Sequence, residues 1–320
     1  MPIGTKIGLI CLALFLVTTA LQCNCEPVAQ PVKTIRMLTI GNSFADNIAT
    51  YLPSIMQAAG YNLVLNRANI GGCPMEKHWK LASLHEANLQ DPQGMPYTIK
   101  GQKVGLKEAL MLEKWDFVTI QQYSVISTKI DTYRPYAKNL YDYIKQNAPQ
   151  AEVLLHQTWA YRSDDPQFKT GTDSSEKMYQ ALTSAYQTIA GELHIRLVPV
   201  GDAFHLASLS PDFSYVTDTA FDFANAVYPN KPDQHHSLHM GWNWSKDKTT
   251  NEYKLSMDGH HANQAGQYLG GLVFFERLTG QSVIGNSFVP NGMNADDARI
   301  LQRVAHEAVQ NELAREKTIK

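Results

Sequence analysis

Ser43 closes the run Leu38-Thr39-Ile40-Gly41-Asn42-Ser43, where an apolar segment of strand length gives way to small polar residues and then to a helical pattern. A hydroxyl at such a junction stands outside the carboxyl end of a strand, where open α/β sheets bind ligands. The helix-start amides just beyond it can stabilise an anion. Far along the chain, Asp258-Gly259-His260-His261-Ala262-Asn263 sets an acid three residues before a histidine. That spacing lets the carboxylate accept a hydrogen bond from one ring nitrogen of His261 while the other nitrogen serves as a base. A serine hydroxyl needs such a base to become a nucleophile, so the pair of motifs points to attack on a carbonyl carbon. Taken singly each has a plainer use: Asn42 and Ser43 are ordinary turn and capping residues, and Asp258 can cap a helix.

Attack on a carbonyl also requires donors for the oxygen that becomes negative. Gly71-Gly72 closes the second apolar run and can bring a backbone amide close. Gln121-Gln122 closes the third and offers a side-chain amide, with Gln122 preferred to Gln121. His78, His156 and Trp159 fall near the same strand ends and are candidates to line a substrate pocket. His235, His236 and His239 have a spacing that a metal could exploit, but no carboxylate stands at a matching distance, so neither a metal nor a cofactor is expected.

The elements that must hold these residues follow from hydrophobic periodicity. Short runs rich in Val, Ile and Leu at 35–40, 62–68, 117–121, 153–157 and 195–200 read as strands. Helical patterns at 46–59, 133–147 and 174–191 lie between them, long enough for crossovers between parallel neighbours. The fold expected is α/β: a three-layer α/β/α sandwich around a mainly parallel five-stranded sheet. A hairpin insertion is predicted near 88–105, a long irregular surface excursion near 208–256, a helix entered just after the D-x-x-H motif, and a helical tail over 295–317.

The composition suits this plan, with 320 residues, 44% hydrophobic and 18% charged. The 28 Lys and Arg against 30 Asp and Glu include no basic run, which argues against a nucleic-acid partner. An apolar segment at 7–17 after Lys6, followed by Thr18, Thr19 and Ala20, has the form of a secretory signal, so 1–25 is assigned as a leader and 26–320 as one domain. Cleavage after Ala20 or Cys25 fits. A lipid anchor on Cys23 is the alternative, disfavoured by Gln22 before it. Loss of the leader removes Cys11, Cys23 and Cys25 and leaves Cys73 without a disulfide partner. No later segment is apolar enough to span a membrane.

The four blocks together resemble the SGNH or GDSL-like hydrolase family, over essentially the whole mature chain. The wider contexts Ile70-Gly71-Gly72-Cys73, Trp115-Asp116-Phe117-Val118-Thr119-Ile120-Gln121-Gln122 and Asp258-Gly259-His260-His261-Ala262-Asn263 look like a bacterial branch known only as a domain of unknown function. The resemblance implies a flavodoxin-like fold, Ser43 as nucleophile, Asp258 and His261 as acid and base, and an oxyanion hole from Ser43, Gly72 and one glutamine. It implies an exported esterase acting on a small-molecule or glycan ester, with an acetylated carbohydrate as the leading substrate. Asn42 stands where the family has an acid, and no Gly-x-Asn-Asp follows the third strand. That second departure makes a carbohydrate-binding protein without turnover the rival reading.

Overall fold

The computed structural model describes residues 1, 2, 4, 32–170 and 174–319. Val32–Lys320 form one compact unit. Apart from positions 1, 2 and 4, the expected leader over 1–25, with Cys23, lies outside the described residues.

The unit opens with β1 (Lys33–Gly41), α1 (Ser43–Ala49), α2 (Leu52–Ala58), β2 (Tyr61–Asn69) and α3 (Met75–Ala87). A small hairpin follows, β3 (Tyr97–Ile99) and β4 (Gln102–Val104), turning through Lys100 and Gly101, both at positive φ as a two-residue hairpin turn requires. Next come α4 (Leu106–Met111), β5 (Phe117–Ile120), α5 (Tyr136–Asn147), β6 (Glu152–His156), α6 (Ser175–Leu193), β7 (Arg196–Val198) and α7 (Val200–Leu209). The chain ends with β8 (His239–Lys246), β9 (Tyr253–Ala262), α8 (Gln264–Thr279) and α9 (Ala295–Ile319).

The main sheet has the order β2-β1-β5-β6-β7, and every pairing in it is parallel. Its central strands are apolar on both faces because helices cover both: α1, α2, α7, α8 and α9 pack together on one side, α3, α4, α5 and α6 on the other. The α/β three-layer architecture expected from periodicity is therefore the one observed. Strand β1 lies inside the sheet, so its carboxyl end is flanked by the ends of β2 and β5.

Three local expectations change. The helix expected over 46–59 is two helices, α1 and α2, because Pro53 enters the second at its first turn and the chain breaks at Thr50-Tyr51. The first begins at Ser43 itself. The segment expected to stay irregular to 256 instead contains the antiparallel ribbon β8–β9, with Trp244 paired to Leu255 and Trp242 to Met257. Asp258 and His261 consequently sit on β9 rather than at a helix entry. The cap of α8 is Asn263, whose Oδ1 accepts the Gly266 amide at 3.1 Å.

Candidate active site

Ser43 is the first residue of α1, and the polar groups beneath it are fully engaged. Asn42 is buried, its Oδ1 accepting the Phe44 amide at 3.1 Å and Gln121 Nε2 at 2.8 Å. Its Nδ2 donates to the Cys73 carbonyl at 3.2 Å. Asn42 thus ties the ends of β1 and β5 to the glycine turn, and an aspartate could not make the last of these bonds, having no donor when ionised. The Gly41 carbonyl accepts from the Ile70 amide at 3.0 Å and from His78 Nε2 at 2.9 Å. A Cβ on Gly41 would meet Gln121 Oε1 at 2.8 Å, so only glycine lets the strand end lie this close to β5.

The base arrives from β9. The Ala262 amide donates to Asn47 Oδ1 on α1 at 2.9 Å, one helical turn beyond Ser43, and pins the ribbon to the helix. His261 Nε2 then lies 2.8 Å from Ser43 Oγ, and His261 Nδ1 lies 2.9 Å from Asp258 Oδ2. The other carboxylate oxygen, Oδ1, accepts the amides of His261 at 3.0 Å and His260 at 3.3 Å. Burial works to raise the Asp258 carboxyl. The His261 ring and amide bonds, with the charges of both histidines, outweigh it and hold the group well below the usual carboxylate range. An ionised Asp258 fixes the proton of His261 on Nδ1 and leaves Nε2 as the acceptor for the serine proton. Behind the imidazole, Phe44 stacks on Trp159 at 4.2 Å and Trp159 on Phe204 at 4.5 Å, with Trp159 Nε1 donating to the His260 carbonyl at 2.8 Å.

Gly72 lies exposed at φ +61° in the turn from Ile70 to Cys73, closed by the Cys73 amide on the Ile70 carbonyl at 3.1 Å. Its amide has no acceptor among the described residues, and that of Ser43, at a helix start, has no intrahelical one. These two N–H groups remain available for an anion.

Both glutamines bond within the protein. Gln122 Oε1 accepts the amides of Met75 at 3.1 Å and Tyr123 at 2.9 Å, and its Nε2 donates to the Thr132 carbonyl at 2.8 Å. Both ends of the side chain are used to join β5 to α3 and the following loop. Gln121 is buried, with its Nε2 donating to Asn42 Oδ1 at 2.8 Å. The three expected pocket residues are also interior. His78 donates to Gly41 and accepts from the Tyr97 hydroxyl at 2.8 Å. Burial brings it down to about 4. His156 is fully buried with both ring nitrogens unpartnered, edge-on to Phe274 at 5.0 Å. Trp159 is buried in its aromatic stack. Strand-end position was legible in the sequence, but whether a side chain there points up to solvent or down into a helix layer was not.

Two contributors had no signal of their own. Asn47 could have been found four residues after Ser43, on the same helix face. His260 occupies one of the two unspecified positions of D-x-x-H. Its Nδ1 lies 3.3 Å from Asp258 Oδ1 and its ring 4.3 Å from that of His261. The His239 ring packs inward, with Nε2 against the Ala160 carbonyl at 2.9 Å. It pairs across the ribbon with Ala262 and lines a separate cavity of about 560 Å³ with Arg162, Tyr179, Phe204, His205 and Tyr215.

Residues 36–222 match the family described as "Domain of unknown function (DUF4886)", a span that includes Ser43 and Gly72 and stops short of β9. The chain is similar to the crystal structure of a DUF4886 family protein from Bacteroides uniformis, at 26% identity and a TM-score of 0.65, over 87% of this chain and 95% of that one. A candidate SGNH hydrolase from Slackia heliotrinireducens aligns at 19% identity and a TM-score of 0.45, over 76% and 98% of the two chains. An acetyl xylan esterase aligns at 13% identity and a TM-score of 0.44, over 76% and 100%. No curated protein matches the chain.

Proposed function

The chain belongs to the DUF4886 family, and we propose that it is an exported serine esterase with Ser43 as nucleophile, His261 as general base and Asp258 as the residue that orients it. The observation that carries this reading is the unbroken hydrogen-bond line from Ser43 Oγ through the His261 ring to Asp258. In the reaction His261 Nε2 takes the Ser43 proton as Oγ bonds to the ester carbon. The amides of Ser43 and Gly72 hold the oxyanion. The intermediate collapses with the Nε2 proton passing to the departing alcohol oxygen, and water repeats the sequence on the acyl-enzyme to release the acid.

An acetylated glycan is the substrate we assign. The ribbon that bears the base also carries Trp244 and Tyr253, and Tyr228 from the segment before it stacks on Tyr253 at 3.8 Å with Trp244 beside it, a surface suited to sugar rings. Export rests on the apolar segment at 7–17 and its small flanking residues. Among the described residues no helix is long and apolar enough to cross a membrane.

A fluorophosphonate probe tests the chemistry directly, because only an activated serine reacts with it. Labelling of the intact protein and none of Ser43→Ala is the result expected, together with acetate release from acetylated glycans. Equal labelling of both proteins refutes the nucleophile, and absence of labelling and of turnover favours the binding-protein alternative.

A further inference from the structure

The D-x-x-H turn carries one imidazole more than the triad requires. His260 Nδ1 faces Asp258 Oδ1 at 3.3 Å, His261 Nδ1 faces Asp258 Oδ2 at 2.9 Å, and one donor atom from each of the three residues lies within 4.8 Å of the other two. Among the described residues this is the group of His, Cys, Asp and Glu side chains gathered so closely. Donors bound at about 2.0–2.1 Å to a tetrahedral ion stand about 3.3–3.4 Å apart; the 3.3 Å from His260 Nδ1 to Asp258 Oδ1 matches this, and the 2.9 Å from His261 Nδ1 runs to the other carboxylate oxygen, Oδ2. Two imidazoles and a carboxylate are the donors that zinc favours.

Local structure holds this arrangement open. Gly259 lets the turn pass against Asp165, whose Oδ2 lies 2.4 Å from where a Cβ would stand. This brings a second carboxylate to the vicinity of His260 and adds to the attraction for a cation. The His260 ring is steadied between His261 and Tyr161, whose rings lie at 4.3 and 5.4 Å. All three side chains remain between 31% and 40% exposed, so an ion reaches them from solvent.

We propose that Asp258, His260 and His261 form a Zn²⁺ site whose occupation switches the hydrolase off. The inference rests on the triad reading of Ser43, His261 and Asp258. A metal on His261 Nδ1 takes the position of the ring proton that Asp258 accepts. The remaining ring proton then resides on Nε2, so His261 donates to Ser43 Oγ instead of accepting its proton, and the nucleophile has no base. Removal of the ion restores the Nδ1–H tautomer, which makes the block reversible.

The test uses the full chain near neutral pH in a buffer that does not bind metal. Zn²⁺ should inhibit ester hydrolysis with one ion bound per chain, EDTA should restore the rate, and Mg²⁺ at the same concentration should leave it unchanged. His260→Gln, compared with its own metal-free rate, should need more than about tenfold more Zn²⁺ for half-inhibition, as loss of a metal contact implies. His260→Cys, which returns a zinc ligand, should regain sensitivity. Equal Zn²⁺ sensitivity of the protein and of His260→Gln overturns the site, as does full activity at saturating Zn²⁺. Calorimetric Zn²⁺ titration of Ser43→Ala, with and without His260→Gln, separates this inference from the esterase reading. Binding lost with His260 supports the site even if no ester is hydrolysed, and absence of binding refutes it even if the esterase is active.

Discussion

Replacing Asp258 by Asn isolates the contribution of the carboxylate charge, because the new side chain can keep its Oδ1 under the amides of His260 and His261 while losing the negative oxygen at His261 Nδ1. In the transition state the imidazole becomes positive. Two unit charges about 4 Å apart at an effective dielectric constant of about 20 attract by about 4 kcal/mol. Asp258 is 36% exposed, so solvent screening reduces this to about 2 kcal/mol, or about thirtyfold in kcat. A second effect adds to the first. An amide NH₂ opposite Nδ1 favours the tautomer with its proton on Nε2, which cannot accept from Ser43, and in serine proteases the corresponding change removes about 10⁴-fold. The expected fall in kcat therefore lies between about thirtyfold and about 10⁴-fold, with little change in KM. Initial rates on a chromogenic acetate ester measure it, and the thermal unfolding midpoint controls for folding. A kcat within about threefold of the unmodified protein, at an unchanged midpoint, would refute the reasoning that Asp258 acts on charge and tautomer.

Further outcomes follow from the same contacts. Ser43→Ala should abolish turnover and probe labelling without lowering the unfolding midpoint, as read by kinetics and calorimetry. Gln122→Ala should act on stability instead of the oxyanion, lowering unfolding free energy by about 1–3 kcal/mol because the Met75 and Tyr123 amides lose their acceptor; a loss of kcat with unchanged stability would restore the glutamine to the oxyanion hole. Burial pushes His78 and His239 down to about 4 and His156 to about 3, so between pH 6.5 and these values the unfolded chain binds protons that the folded chain refuses. Stability should be unaffected by these groups above about pH 6.5 and fall by about 1.4 kcal/mol per group for each pH unit below it. Denaturant melts across that range test the slope, and His156→Leu, which removes a buried ring without partners, should make it shallower.

The main sheet was legible because its strands are buried on both faces and read as short apolar runs between helical periods. The ribbon was not: β8 mixes His, Trp, Asn, Ser and Lys, half exposed on both sides, and leaves no clean alternation. The sequence pattern places Asp258 and His261 at a helix entry, yet the Asp258–His261 contact is present as expected, because D-x-x-H fixes that geometry locally whatever element bears it. The surroundings of the glutamines and of His78 were not legible for a different reason. Polar residues at strand ends look alike in sequence whether they meet substrate or anchor the nucleophile turn, and only the partners of Asn42 and Gly41 tell the two apart.

The serine and its base are 218 residues apart in the chain. During synthesis β1, Ser43 and the rest of α1 with Asn47 are made early, while the ribbon strand β9, whose Ala262 amide anchors on Asn47, comes much later. On the proposed mechanism, a polypeptide that stops short of Asp258 has the serine and lacks the groups that would activate it. On that same reading the order of translation keeps unfinished copies inert, since the three side chains come together only when the closing ribbon docks onto the first helix.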